Sequence, residues 1–101
     1  MSENAFIPGS TVTLSATQAT ASVAVPGGTK SRRRIRVRIP AGDDTVFLAF
    51  GGSGVTAALT DMPMHAGTTE YFTLLEGQTH VAAICASTET ATVYITEGSV
   101  G

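Results

Sequence analysis

Residues 33–39 read Arg33-Arg34-Ile35-Arg36-Val37-Arg38-Ile39, and this alternation decides how the chain is read. Successive side chains of an extended strand point to opposite faces, so Ile35, Val37 and Ile39 share one face and Arg34, Arg36 and Arg38 the other. One side is dry and the other carries only cations. Working outward, helical periodicity is missing over any window of a dozen residues, while short runs of β-branched and aromatic residues recur between Gly, Pro and Asp punctuation. Strands are expected at 11–15, 19–25, 33–39, 45–50, 55–59, 69–75, 80–86 and 91–96. Turns are expected at Pro26-Gly27-Gly28, at Pro40 to Asp44, at Glu76-Gly77 and at Glu97-Gly98, where a fixed φ, a residue free to take positive φ, or both are supplied. Gly51-Gly52-Ser53-Gly54 is the most flexible stretch, which makes 55–59 an irregular edge.

The fold class that follows is all-β: an antiparallel β-sandwich, jelly-roll-like, of about eight short strands. The chain has 101 residues, 43% of them hydrophobic and 14% charged, with six aromatic residues and no tryptophan. That suits thin, closely packed sheets and one domain. A chain of this mass buries roughly 64% of its extended surface on folding, enough for a single core without much margin. Alternation also places Ala91, Val93 and Ile95 opposite Thr92, Tyr94 and Thr96. The runs Val46 to Phe50 and Val81 to Cys85 are apolar on both faces, which fits either central strands or strands covered by another subunit; the second option implies an oligomer. Ala41-Gly42 before Val46-Phe47 and Ala66-Gly67 before Tyr71-Phe72 form a faint echo, open to a repeated unit or to biased composition. Residues 1–10 are expected to be a flexible arm and 11–101 the domain, with Phe6 and Ile7 reaching onto a neighbour.

Residue types for catalysis are few. His65, His80 and Cys85 are the only histidines and thiol. The odd offset from His80 to Cys85 puts their side chains on opposite faces of one strand. His65 is expected in a solvated loop and His80 at the rim. A single cysteine excludes an internal disulfide and a cysteine-based zinc site. The glycine-rich stretch at 51–54 lacks the Lys-Ser or Lys-Thr pair and the following helix that a phosphate loop needs. No enzyme, metal or cofactor is expected. A secretory signal and a membrane span are absent from the expectation as well, so synthesis in the cytoplasm follows.

All six positive charges, Lys30, Arg32, Arg33, Arg34, Arg36 and Arg38, fall within nine residues, while the eight acids are scattered. Arg34, Arg36 and Arg38 repeat at about 6.7 Å along a strand, forming a comb of planar forks suited to carboxylates or phosphates. Two readings stay open. The comb docks on an acidic partner protein, with Arg32 and Arg33 at the strand entry, or it is a solvated face paired with cross-strand acids such as Glu70. Nucleic acid is disfavoured, because no stacking aromatics are interleaved with the arginines.

From Thr45 to Gly98 the segments VFLAFGGSGVTA, MPMHAGTTEYF, GQTHVAAI and TATVYITEG resemble small all-β virion proteins of tailed bacteriophages and related particles. The resemblance implies a decoration or cement protein on the capsid exterior that contacts the major capsid protein and acts as a trimer or dimer. Alternatives of other classes are a carbohydrate-binding or host-adhesion module and a tail or head–tail component.

Overall fold

The structure, a computed structural model, describes residues 6–25 and 33–100, the side chains of Phe6, Ile7, Arg33, Ser99 and Val100 excepted. Eight strands follow in order: β1 (Phe6–Ala16), β2 (Ala21–Ala24), β3 (Arg33–Arg38), β4 (Val46–Gly51), β5 (Met62–Met64), β6 (Thr69–Leu74), β7 (His80–Cys85) and β8 (Ala91–Val100). They form two four-stranded sheets, sheet A in the order β1-β8-β3-β6 and sheet B in the order β2-β7-β4-β5. Every pairing is antiparallel. That strand order is the double Greek key of a jelly roll, so the expected fold class is the observed one.

The inward positions of both sheets make one core. Ile35, Val37, Ile39, Val93 and Ile95 from the sheet A side meet Val46, Leu48, Val81, Ala83 and Cys85 from sheet B, all at most 2% exposed. The rings of Phe50 and Phe72 pack at 5.1 Å between centroids, joining β4 to β6 across the layers. Asp43 and Asp44 fasten the turn before β4 to the start of β8. Their carboxylates accept from the backbone N–H of Thr92 at 2.8 Å and Thr90 at 3.0 Å.

Three elements differ from the sequence reading. Residues 55–59 form no strand; the fourth member of sheet B is β5, only three residues long, with Pro63 on a sheet edge where its missing N–H is harmless. Glu97-Gly98 is no turn. β8 runs through it to Val100 because Gly98 has Pro8 of β1 on one side and Arg34 of β3 on the other. β1 starts at Phe6, with residues 6–8 opposite 98–100, so residues 6–10, expected in the arm, are part of a strand of sheet A. A register shift between Pro8 and Thr11 bends this strand where proline cannot donate. The turn at Pro26-Gly27-Gly28 lies outside the described residues. The two Ala-Gly echoes are both turns with positive φ, +94° at Gly42 and +78° at Gly67. They lead into strands of different sheets, so what they share is turn chemistry.

β4 and β7 are the central strands of sheet B, which accounts for their inner faces. Their outer faces are explained by the chain itself. A Cβ on Gly51 would meet the Val55 side chain at 3.1 Å, so residue 55 lies over that end of β4. Ala57 N–H donates to Thr20 Oγ1 at 2.8 Å, just before β2 at the opposite corner. A segment running from Gly51 to Thr20 crosses Ala82, which is outward-facing, fully buried and no part of the inter-sheet core. Segment 52–58 is thus a strap, seated on the small side chains of Ala49 and Ala82. One chain supplies the cover for which a second subunit was the alternative.

Candidate binding face on the outer side of sheet A

β3 is an inner strand of sheet A, and its alternation is set by the apolar residues that the core demands. Burying Ile35, Val37 and Ile39 leaves Arg34, Arg36 and Arg38 no direction but outward. Register then decides their neighbours. Arg36 stands between Thr96 of β8 and Tyr71 of β6, with Thr11 of β1 beyond Thr96. Arg38 stands between Tyr94 and Thr69, with Thr13 beyond Tyr94. Arg34 stands between Gly98 and Thr73. The face is a lattice of three arginines, two tyrosines and threonines.

Hydroxyls organise its middle. Thr11 Oγ1 and Thr96 Oγ1 are 2.8 Å apart, which satisfies the hydroxyl of Thr96, itself only 4% exposed. Arg38 Nη1 donates to Thr69 Oγ1 at 3.0 Å. Arg36 and Tyr71 each have an interaction of their own. Arg34 Nε is buried without a hydrogen-bond partner. Tyr71 and Tyr94 stand up from the sheet, 46% and 40% exposed. Together with Thr11 and Thr69 they rim a shallow depression of about 750 Å³, with Arg36, Arg38 and Thr96 in it.

Carboxylates keep off this face. Glu70 is opposite Val37, and Glu97 is opposite Ile35, so both alternate away from the arginines. Glu70 instead borders a groove with Met62, Met64 and Phe72 at the open β5–β6 side. Asp43 and Asp44 are engaged at the turn before β4, and Asp61 Oδ2 accepts from Ala58 N–H at 2.7 Å. Among the described residues no outward position of sheet A is acidic. The expected pairing of the comb with Glu70 is therefore overturned by register. Adjacent arginine charges about 6.7 Å apart repel by about 0.6 kcal/mol at the dielectric of water, and by more against protein.

The structure thus brings Arg34, Arg36 and Arg38 together. Arg33 is opposite Leu74 in register, on the other alternation of β3, and Arg32 lies outside the described residues. Phe6 and Ile7 sit in β1 opposite Val100 and Ser99, beyond the register shift, with side chains outside the described set. Tyr71, Thr69 and Thr11 were not foreseen as members of the face. Tyr94 and Thr96 had been placed on an outward face by alternation, but nothing in one strand says which strand lies beside it.

The remaining titratable groups are dispersed. His65 Nδ1 is 3.1 Å from Thr45 Oγ1 on an exposed turn, and His80 Nδ1 is 2.8 Å from Thr79 Oγ1. Cys85 is 1% exposed on the inner side of β7, its thiol 3.8 Å from Ala16 O. Burial pushes the thiol above its ordinary 9.0, with the charges of Glu89, Asp44 and Asp43 adding to the effect. Among the described residues no three His, Cys, Asp or Glu side chains cluster in a way that could hold a metal ion. No helix there is long and apolar enough to cross a membrane.

No protein-family profile and no curated protein sequence matches the chain. A solved structure does: a chain from Bacillus endospore appendages, which form a novel family of disulfide-linked pili. It superposes with a TM-score of 0.56 at 17% identity, covering 99% of this chain and 94% of that one. At that identity the likeness shows the fold. The segments that resemble virion proteins map onto β4 with the strap, β5 to β6, β7 and β8. They are the strand-and-turn units of this sandwich, which is why they point to a fold more strongly than to a phage family.

Proposed function

We propose that the chain is a non-catalytic structural subunit of an extracellular particle. In its finer form it is a decoration protein on the exterior of a phage-like head, attached to the acidic surface of the major capsid protein through the outer face of sheet A. The observation that carries this reading is the segregation on that face: three outward arginines on an inner strand, two raised tyrosines and, among the described residues, no outward carboxylate. Tyrosine and arginine are the residue types that dominate the energetic centres of protein interfaces. A face of outward arginines is complementary to an acidic surface and steers its approach.

The jelly-roll likeness to an appendage subunit supports a structural role without carrying over its chemistry. A disulfide-linked polymer needs at least two cysteines per subunit, one for each neighbour, and this chain has one, buried in the core. A dimer or trimer on the particle remains part of the proposal, resting on exposed Leu59, Met62 and Leu75 and no longer on the doubly apolar strands. A second reading, a glycan-binding adhesion module, is favoured by one observation: Tyr71 and Tyr94 give the depression two aromatic rims. Copy number separates the two. The decoration reading expects hundreds of copies per purified particle by gel densitometry and a rise in the temperature at which heads burst when the protein is added back. Replacing Arg34, Arg36 and Arg38 by Ser should abolish both while the monomer stays folded; unchanged binding by that variant would sink the reading.

A further inference from the structure

We infer that the open side of the sandwich, between the edge strands β5 and β6, is a second contact surface, and that it takes an extended segment of a partner protein in which a large apolar residue precedes a lysine or arginine by two positions. This surface is separate from the outer face of sheet A. Neither reading depends on the other.

The edges of the two sheets are not alike. β1 carries Pro8 and a register shift, β2 has four residues, and β5 has three with Pro63 among them. Such features blunt an edge against added strands. Among the described strands β6 ends sheet A on this side, with six residues in unbroken register and no proline or lysine among them. Its hydrogen-bond phase is set at the preceding turn. Ile39 N–H donates to Thr68 O at 3.1 Å and Gly67 N–H donates to Ile39 O at 2.8 Å, with Gly67 at φ +78°, which is the pattern of a G1 bulge. The even-numbered residues of β6 therefore bond to β3, and Thr69 turns its main-chain N–H and C=O to the open side.

Between the two edges lies a groove of about 320 Å³ whose lining includes Met62, Met64, Phe72 and the exposed Glu70, and no lysine or arginine. Glu70 and Phe72 are opposite Val37 and Ile35 in register, so they share the face of β6 that looks toward sheet B. A strand laid antiparallel along β6 sets its residues opposite 70 and 72 on that same face, directed into the groove. A cation opposite Glu70 completes a cross-strand ion pair. An apolar side chain opposite Phe72 covers the methionines, whose unbranched thioethers adapt to the shape of what lies on them.

A second copy of β6 does not fit this edge. Antiparallel partners share a face, so two β6 strands about a two-fold axis set Glu70 opposite Glu70, Phe72 or Leu74 of the other copy. Each register opposes like charges or leaves a carboxylate against an apolar side chain. The charge and the apolar residues of the groove together select a basic and apolar strand of a different protein.

The test is an NMR titration of the full-length, isotope-labelled chain with the end-blocked synthetic peptide Thr-Leu-Thr-Lys-Thr and the matched Thr-Leu-Thr-Glu-Thr. The lysine peptide should shift the amides of Thr69, Glu70 and Phe72 and the methyl groups of Met62 and Met64, and the glutamate peptide should bind about fivefold more weakly. Glu70→Lys should invert that order. Thr69→Pro removes an N–H that β3 does not use and should abolish binding of both peptides. Native spectra of each variant control for folding, and Glu70→Lys, on an exposed side chain, decides the matter if Thr69→Pro does not fold. The inference is overturned if both peptides bind the parent alike, if Glu70→Lys leaves their order unchanged, if neither shifts a resonance at millimolar concentration, or if the chain itself sediments as a dimer that Thr69→Pro dissociates. Failure of the docking reading looks different: the peptides titrate as expected, yet the triple arginine variant still binds particles like the parent.

Discussion

The outer face of sheet A carries three arginines, two half-exposed tyrosines and a lattice of threonines, whereas the outer face of sheet B carries Ala49, Ala82, Phe47 and Ile84, with the chain's own 52–58 segment crossing it over Ala82. Both faces sit on equally apolar inner sides, so the core does not distinguish them. What distinguishes them is what each must be compatible with. The Val55 side chain of that segment comes close enough to meet a Cβ at Gly51, and only small residues beneath it allow that approach. Sheet A is crossed by nothing among the described residues, and long polar side chains stand there without steric penalty. The outer face of sheet B is closed by its own chain, whereas that of sheet A is open among the described residues.

Exchanging a residue between the two regions should give the largest effect. Ala82→Arg places a sheet A residue under the strap, where neither volume nor solvation is available, and should cost about 3 kcal/mol through overpacking and displacement of segment 52–58. The reverse exchange on the exposed arginine, Arg38→Ala, should change stability by no more than about 0.5 kcal/mol, as open surface positions do. Urea unfolding of the two variants against the parent measures both. Comparable losses would mean that the faces are not organised differently after all.

A smaller loss is expected from Gly51→Val. The new side chain meets Val55, already 3.1 Å from an ideal Cβ at that position, and the strap must lift at one end for about 2 kcal/mol. Its other end can be loosened separately. Thr20→Val keeps the shape but removes the acceptor for Ala57 N–H, worth about 1 kcal/mol. That change should also raise the rate of proteolysis within residues 52–58 while the remaining strands keep their hydrogen-exchange protection. Loss of protection throughout sheet B would show that the strap is integral to the sheet instead of laid upon it.

Much of this contrast was legible in the residues, and the illegible part has a physical pattern. Alternation at 33–39 and 91–96 reproduces β3 and the start of β8, because a strand with one buried face imposes a period of two, and the β-branched and aromatic runs at 45–50, 69–75 and 80–86 mark β4, β6 and β7. The short run at 55–59 misled. Val55 and Ala57 are covered between exposed Thr56 and Ala58 because the strap lies along a sheet, with Val55 against Gly51 and Ala57 at Thr20, not because it belongs to one. Pro63 hid β5, whose place at an edge makes proline acceptable there. Glu97-Gly98 carries the same local signal as Glu76-Gly77, yet pairing on both sides holds it in β8. For the binding face, the comb of Arg34, Arg36 and Arg38 follows from one strand alone. That Tyr71 stands beside Arg36 and Glu70 faces away is a matter of register between distant strands, and no local pattern specifies it.

The finest division expected runs within the arginine face itself. Arg34 and Arg38 look alike in sequence but differ in what the fold does with their heads. Arg38 is exposed and donates to Thr69, whereas Arg34 keeps Nε buried with no acceptor. An unsatisfied buried donor is a cost that an apolar side chain of similar length does not bear. Arg34→Met should therefore leave stability unchanged or raise it by up to about 0.5 kcal/mol, while Arg38→Met should lower it by a similar amount through loss of an exposed hydrogen bond. Both also relieve like-charge repulsion with Arg36, so the difference between the two variants isolates the hydrogen-bond contribution. Denaturation midpoints at equal m-value resolve this difference. If Arg34→Met proves the more destabilising of the two, then Arg34 Nε has a partner in solution, and Arg34 belongs with Arg36 and Arg38 in a single continuous comb.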